Sequence, residues 1–175
     1  GEQMRQSLGQ QFVVESKPGA FGILAIEEMA RSKPDGYTLM IGNVSTNAIT
    51  PVLFQKKFSI NFEKDVVSVS RLAIYPSFLV TTTQNFDIKS VPELVAYAKK
   101  NPGKVRLGTA GAGSVGHFTV EIINSLTGAG ITMVPFKGAS PAITALLGGH
   151  VEGVVLALGA LTSHLKSGAF RGIVI

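Results

Sequence analysis

The 175-residue sequence contains no cysteine. Disulfides and thiolate metal sites are therefore excluded, whatever compartment the protein occupies. No apolar run reaches the roughly 18 residues that a membrane-spanning helix needs. The opening, Gly1-Glu2-Gln3-Met4-Arg5, has no apolar signal core. Charge is also scarce. Asp, Glu, Lys and Arg make up 15% of the chain against 45% hydrophobic residues, a balance that excludes intrinsic disorder and supplies a core. The net charge of +5 is scattered, with Lys56-Lys57 and Lys99-Lys100 as the only adjacent basic pairs. A nucleic-acid surface needs basic residues gathered on one face. No nucleic-acid partner is expected, and the charge is read as mild steering of anions. Histidine and carboxylate spacings resemble no metal site, and no G-K-[ST] phosphate loop occurs. No cofactor is expected.

The chain alternates between strand and helix signals. A helix tail ends at Leu8-Gly9, with glycine as the C-cap. A short strand over 12–15 follows, then the turn Lys17-Pro18-Gly19. Ile23, Leu24, Ile26, Met29 and Ala30 fall on one helical stripe, which Lys33-Pro34-Asp35-Gly36 stops. Further strands are predicted over 37–41, 66–72 and 78–82. Ser90-Val91-Pro92-Glu93 is a helix start: serine caps, proline sits where its missing N–H is harmless, and glutamate closes a capping box. Asn101-Pro102-Gly103 ends that helix, and a domain boundary is placed there, giving lobes 1–103 and 104–175. Beyond it come strand 104–108, a helix to about 126, strand 132–136, helix 141–147, strand 151–157, a helix near 160–167 and strand 170–175. This alternation predicts α/β layers around a largely parallel sheet.

The most informative segment is Leu107-Gly108-Thr109-Ala110-Gly111-Ala112-Gly113-Ser114-Val115-Gly116-His117, where a strand runs through small residues into a helix. Such a junction aims backbone N–H groups and the positive end of a helix dipole at one spot, which suits a carboxylate or phosphate. Glycine lets a ligand approach the main chain closely. Residues 111–116 also match the dinucleotide pattern G-x-G-x-x-G. That fold requires an acidic residue about 20 positions on, at the end of the next strand, to hold a ribose. Here that strand ends in Lys137-Gly138, so an NADP-binding oxidoreductase domain is the alternative reading. Ser114 misses the nucleophile pattern G-x-S-x-G at its first glycine. His117, His150 and His164 have no recognisable acid partner, so no catalysis is expected. The polar loop 42–47, which includes Ser45, Thr46 and Asn47, is read either as a second ligand lip beyond a strand end or as a plain surface turn.

A collinear series of motifs runs through these elements. It comprises Leu8-Gly9-Gln10, Val14-Glu15-Ser16-Lys17-Pro18-Gly19-Ala20, Pro34-Asp35-Gly36-Tyr37-Thr38-Leu39, Asn101-Pro102-Gly103-Lys104 and Gly108-Thr109-Ala110-Gly111. Val134-Pro135-Phe136-Lys137-Gly138, Pro141, Leu147-Gly148-Gly149-His150-Val151-Glu152 and Gly168-Ala169-Phe170-Arg171 complete it. Over essentially the whole chain this series resembles the Bug (TctC-like) family, the solute receptors of tripartite tricarboxylate transporters. The resemblance implies a periplasmic-binding-protein-like fold of type II, a Venus flytrap of two α/β lobes, that captures a small carboxylate in the periplasm for membrane transporter subunits. It implies ligand contacts from Ser45, Thr46 and Asn47 on one lip, and from Thr109, Ala110, Gly113, Ser114 and His117 on the other. A third contact region is implied at Leu156 and Ala157.

Two departures qualify it. Many members carry aspartate at the position of Leu156, suited to a ligand's ammonium, so a di- or tricarboxylate or an aromatic acid without one is expected here. Members also begin with a strand and glycine-rich loop before the helix under way at Gly1, and continue beyond Ile175. The expectation is therefore a truncated or proteolysed form, with an incomplete first lobe and weakened binding.

Overall fold

Five short apolar segments pair into one sheet in the computed structural model, which describes residues 1–17, 22–84 and 86–174. They are β1 (Ser77–Thr82), β2 (Arg106–Thr109), β3 (Thr132–Pro135), β4 (Gly153–Ala157) and β5 (Phe170–Val174), in the order β3-β2-β4-β1-β5. β2 runs parallel to β3 and β4, whereas β1 runs antiparallel to both β4 and β5. The expected largely parallel sheet is thus mixed, with β1 the strand that opposes the rest. Helices α5 (Val91–Lys100), α6 (Val115–Thr127), α7 (Ala139–Leu147) and α8 (Leu158–Lys166) link successive strands.

Successive strand residues point to opposite faces of a sheet, and two apolar clusters follow from that. Val155 of β4 joins Leu94 and Ala98 of α5 and Val120 of α6 on one face. Val154 and Leu156 join Ala142, Ala145 and Leu146 of α7 and Leu161 of α8 on the other. Helices cover both faces, so a central strand must be apolar throughout, as Val154-Val155-Leu156 is. Packing at the centre is close. A Cβ on Gly153 would lie 2.7 Å from the Val80 carbonyl oxygen and 2.8 Å from Leu107 Cδ2.

Polar clasps fix the periphery. The backbone N–H and guanidinium of Arg106 donate to the Glu152 carboxylate at 2.7, 3.2 and 2.7 Å, while Glu152 N–H donates to the Arg106 carbonyl at 3.0 Å. These bonds join the start of β2 to the approach to β4. At the far end of α6, the Asn124 side chain both donates to the carbonyl of Ile131 and accepts from its N–H, each at 2.8 Å. Ser90 caps α5 as expected, accepting from Glu93 N–H at 3.3 Å. The Glu93 carboxylate accepts from Lys89 N–H at 2.9 Å, one residue before the partner of a standard capping box.

The chain divides into two compact units, Gly1–Val67 and Ser68–Ile175. The boundary expected at 103 falls inside the second, because β1 is built into the sheet between β4 and β5, and α5 into its face. The first unit is helical. α1 (Glu2–Leu8) ends on Gly9 in the left-handed conformation, as predicted. α2 (Ile23–Arg31) buries Ile23 and Ile26. A π-helical turn, Ser45–Ile49, leads into α3 (Thr50–Leu53), and α4 (Phe62–Asp65) is capped by Asn61.

The strands expected over 12–15, 37–41 and 66–72 do not form. Tyr37, Ile41 and Val69 are 91%, 83% and 80% exposed. An extended segment becomes a strand only through a partner strand that takes its backbone groups, and no described strand pairs with these segments. Pro18 and Gly19 of the expected turn lie outside the described residues.

Two outcomes are expected from this packing. Leu107→Ala should cost about 2–5 kcal/mol in denaturant unfolding, whereas Leu126→Ala on the exposed side of α6 should stay within about 0.5 kcal/mol. Asp87 is paired with Arg171 of β5 and lies 3.5 Å from Lys89. The hydrogen bond from Arg171 holds its carboxyl below the usual aspartate range. The pair therefore supports folding above that range and is lost as pH falls through the lowered pKa. An NMR titration should place the Asp87 midpoint below that of a free aspartate, and Arg171→Ala should restore it.

Candidate functional site: the glycine loop at the carboxyl edge of the sheet

Because β2, β3 and β4 run parallel, their carboxyl ends lie along one edge, where open α/β sheets bind ligands. At that edge β2 ends at Thr109 and α6 begins at Val115. Between them Gly111 and Gly113 take φ of 139° and 73°, which L side chains rarely adopt. Ser114 caps α6, its hydroxyl accepting from His117 N–H at 3.3 Å and donating to the Gly111 carbonyl at 2.7 Å. Gly116 faces the sheet so closely that a Cβ there would meet the Val155 carbonyl oxygen at 2.4 Å and Thr109 Cβ at 3.4 Å.

Thr109, Ala110, Gly113, Ser114 and His117 lie together in and beside this loop, and most of their polar groups are engaged within it. Thr109 is buried, and its hydroxyl accepts from Gly111 N–H at 3.4 Å. The carbonyl of Ala110 accepts from Gly138 N–H at 3.1 Å. The N–H of Gly113 donates to His117 Nδ1 at 2.9 Å, and His117 Nε2 lies 3.9 Å from Glu121 Oε1. The first-turn amides of α6, at Val115 and Gly116, lie where a helix has no internal acceptor to offer. Ala110 and Ala112 are exposed. The arrangement suits an anion that accepts from main-chain donors.

β4 ends at the same edge, with Ala157 as N-cap of α8. Leu156 is only 3% exposed and sits in the apolar cluster with Leu161 and Phe170, so its side chain is turned into the core. His150 is exposed beyond α7, while His164 stacks on Phe170 at 4.8 Å. Lys137 is exposed after β3, where a ribose-binding acid would be needed. Among the described residues no cluster of His, Asp or Glu could hold a metal ion. No helix among them is long and apolar enough to cross a membrane.

In the first unit, Ser45, Thr46 and Asn47 occupy the π-helical turn, not a loop. Asn43 and Thr46 exchange bonds: Asn43 N–H donates to Thr46 Oγ1 at 2.8 Å, and Thr46 N–H to Asn43 Oδ1 at 3.2 Å. Thr46 Oγ1 also donates to Asn47 Oδ1 at 2.9 Å. Two glycines that sequence reasoning passed over make room for this turn. A Cβ on Gly42 would lie 1.9 Å from Asn47 Oδ1, and one on Gly22, the N-cap of α2, 2.7 Å from Thr46 Cγ2. Their one signal in the sequence is position, each beside the start of a helical run.

A helix-flanked sheet with a glycine loop at its carboxyl edge is shared with solved periplasmic proteins, among them the periplasmic binding protein BugD (27% identity, TM-score 0.77). The model of the tripartite tricarboxylate transporter family receptor (TctC) matches residues 1–175, and the chain belongs to that family. It is 33% identical to protein BugT of Bordetella pertussis over 98% of its own length and 52% of the relative's. Among solved structures it resembles Rpa4515 of R. palustris with adipate (29% identity, TM-score 0.88). It also resembles MatC from Rhodopseudomonas palustris with bound malate (31% identity, TM-score 0.83). Both alignments cover 98% of this chain and 57% of the other. The chain thus spans about half the length of the curated relatives it matches. The family is one of transport receptors and not of enzymes, which sets aside the oxidoreductase alternative for residues 111–116.

The packing of Gly116 yields a paired test. Gly116→Ala should destabilise by about 1–3 kcal/mol, because the methyl meets a backbone oxygen that cannot move alone. Gly159→Ala in α8, where an added methyl meets open space, should be neutral or stabilise by up to about 1 kcal/mol. Denaturant unfolding of the two variants decides it.

Proposed function

We propose that this protein captures a small carboxylate in the periplasm as the receptor of a tripartite tricarboxylate transporter, with residues 108–117 as one jaw. The observation that carries this reading is the loop's geometry. Its side-chain groups are spent on its own conformation, leaving main-chain donors at the start of a 13-residue helix for an anion. The bound adipate and malate of two related structures are dicarboxylates and fit that chemistry. On this reading Ser45, Thr46 and Asn47 are ligand contacts supplied by the first unit, and Thr109, Ala110, Gly113, Ser114 and His117 shape the jaw of the second. Ala157 contributes at the end of β4, while Leu156 is turned into the apolar cluster and places no charge at that edge. A di- or tricarboxylate or an aromatic acid is the expected ligand, handed on to the membrane subunits of the transporter.

Calorimetry with adipate, malate, an aromatic acid and an amino acid tests this directly. Binding of one or more simple carboxylates, weakened at least tenfold by Gly113→Ala, is expected. Tight binding of amino acids with none for simple carboxylates would overturn it.

A further inference from the structure

We propose that His117 is a positioning residue for the glycine loop: neutral, it withholds the Gly113 amide from the ligand; protonated, it releases that amide. This rests on the reading of residues 108–117 as an anion jaw. Gly113 N–H donates to Nδ1 of His117 at 2.9 Å, so Nδ1 is an acceptor and the ring's own proton sits on Nε2. An imidazolium has no acceptor left. Gly113 N–H and Nδ1–H would then be two donors facing each other, and both would need an acceptor. Gly113 is buried, and a buried N–H left without a partner is costly. A carboxylate has two oxygens and satisfies both donors at once. The ring is 25% exposed, so protons reach it from solvent.

The surroundings leave this exchange to few charges. Glu121, one turn along α6 with Oε1 3.9 Å from Nε2, is the one acidic partner within ion-pair distance among the described residues. Residues 110–114 carry no ionisable side chain, and neither do Thr109 and Val155, against which this turn of α6 packs. The segment bonded to Ala110 carries Lys137, which is exposed. Phe118 lies beside the ring at 5.2 Å between centroids.

The test begins without ligand. Across whatever pH range the His117 ring resonances show proton exchange, the Gly113 amide resonance should move with them. Ring nitrogen shifts should place the neutral form's proton on Nε2. His117→Asn puts an oxygen acceptor near the position of Nδ1, so it should keep the Gly113 amide protected and make its shift independent of pH. His117→Phe should speed exchange of that amide at least tenfold. A neutral-form proton on Nδ1, or a flat Gly113 shift while the ring titrates, would overturn the proposal. Adipate then separates the two readings. Affinity several-fold higher where the ring resonances show the imidazolium than where they show the neutral form, with the difference abolished in His117→Asn, supports release of the amide to the ligand. PH-independent affinity overturns that release. A titrating Gly113 amide with no carboxylate bound in either form leaves His117 as the loop's positioning group and removes the receptor reading.

Discussion

The candidate site depends on how closely the first turn of α6 approaches the sheet. Gly116 lies against the Val155 backbone with no space for a methyl group. That contact sets the helix start relative to the ends of β2 and β4, and so sets where its unpaired amides stand. A helix held an ångström further out would carry the same sequence and the same dipole, but its donors would no longer converge with the loop. The constraint is steric and costs no polar group. It also explains why glycine recurs at 108, 111, 113 and 116 for different reasons: Gly111 and Gly113 are needed for their dihedrals, and Gly108 and Gly116 for close approach to neighbouring side chains and backbone.

The second layer of the site is polar and mostly self-directed. Thr109, Ser114 and His117 each satisfy a backbone group of the loop or of the first turn of α6. A loop that supplies its own partners keeps one conformation without a ligand, so binding need not fund its ordering. The box formed by Asn43, Thr46 and Asn47 in the first unit follows the same logic. In both places the hydroxyls and amides that look like ligand contacts in the sequence hold their own backbone in place.

The second unit was largely legible from its sequence. Its signals are local: the Ser90 cap with Pro92, the punctuation at Asn101-Pro102-Gly103, and the apolar run at 153–157 each name one element, and the elements alternate as α/β layers must. The antiparallel insertion of β1 is not legible, because strand order is fixed by non-local pairing, and the compact units accordingly divide near Val67 and not at 103. The first unit is less legible. Val13-Val14, Tyr37 to Ile41 and the run after Val66 have strand composition, but composition cannot supply the partner that makes a strand. Conversely, Ser45, Thr46 and Asn47 have loop composition and form a helical turn, because the reciprocal Asn43–Thr46 bonds cap it from within.

Leu156 shows how a strand's alternation limits what a site residue can do. Its neighbours Val155 and Ala157 share the other facing, and Leu156 itself is turned towards α8 and Phe170. An aspartate placed there would enter an apolar cluster and would need a partner or a proton to remain. Leucine removes that demand and adds apolar contacts beneath the start of α8. In the proposed receptor its effect on a ligand would therefore be indirect, through the seating of α8 on β4 and the position of Ala157 at its N-cap. Charge selectivity would then fall to the main-chain donors at the start of α6, which favour a carboxylate and offer nothing to an ammonium.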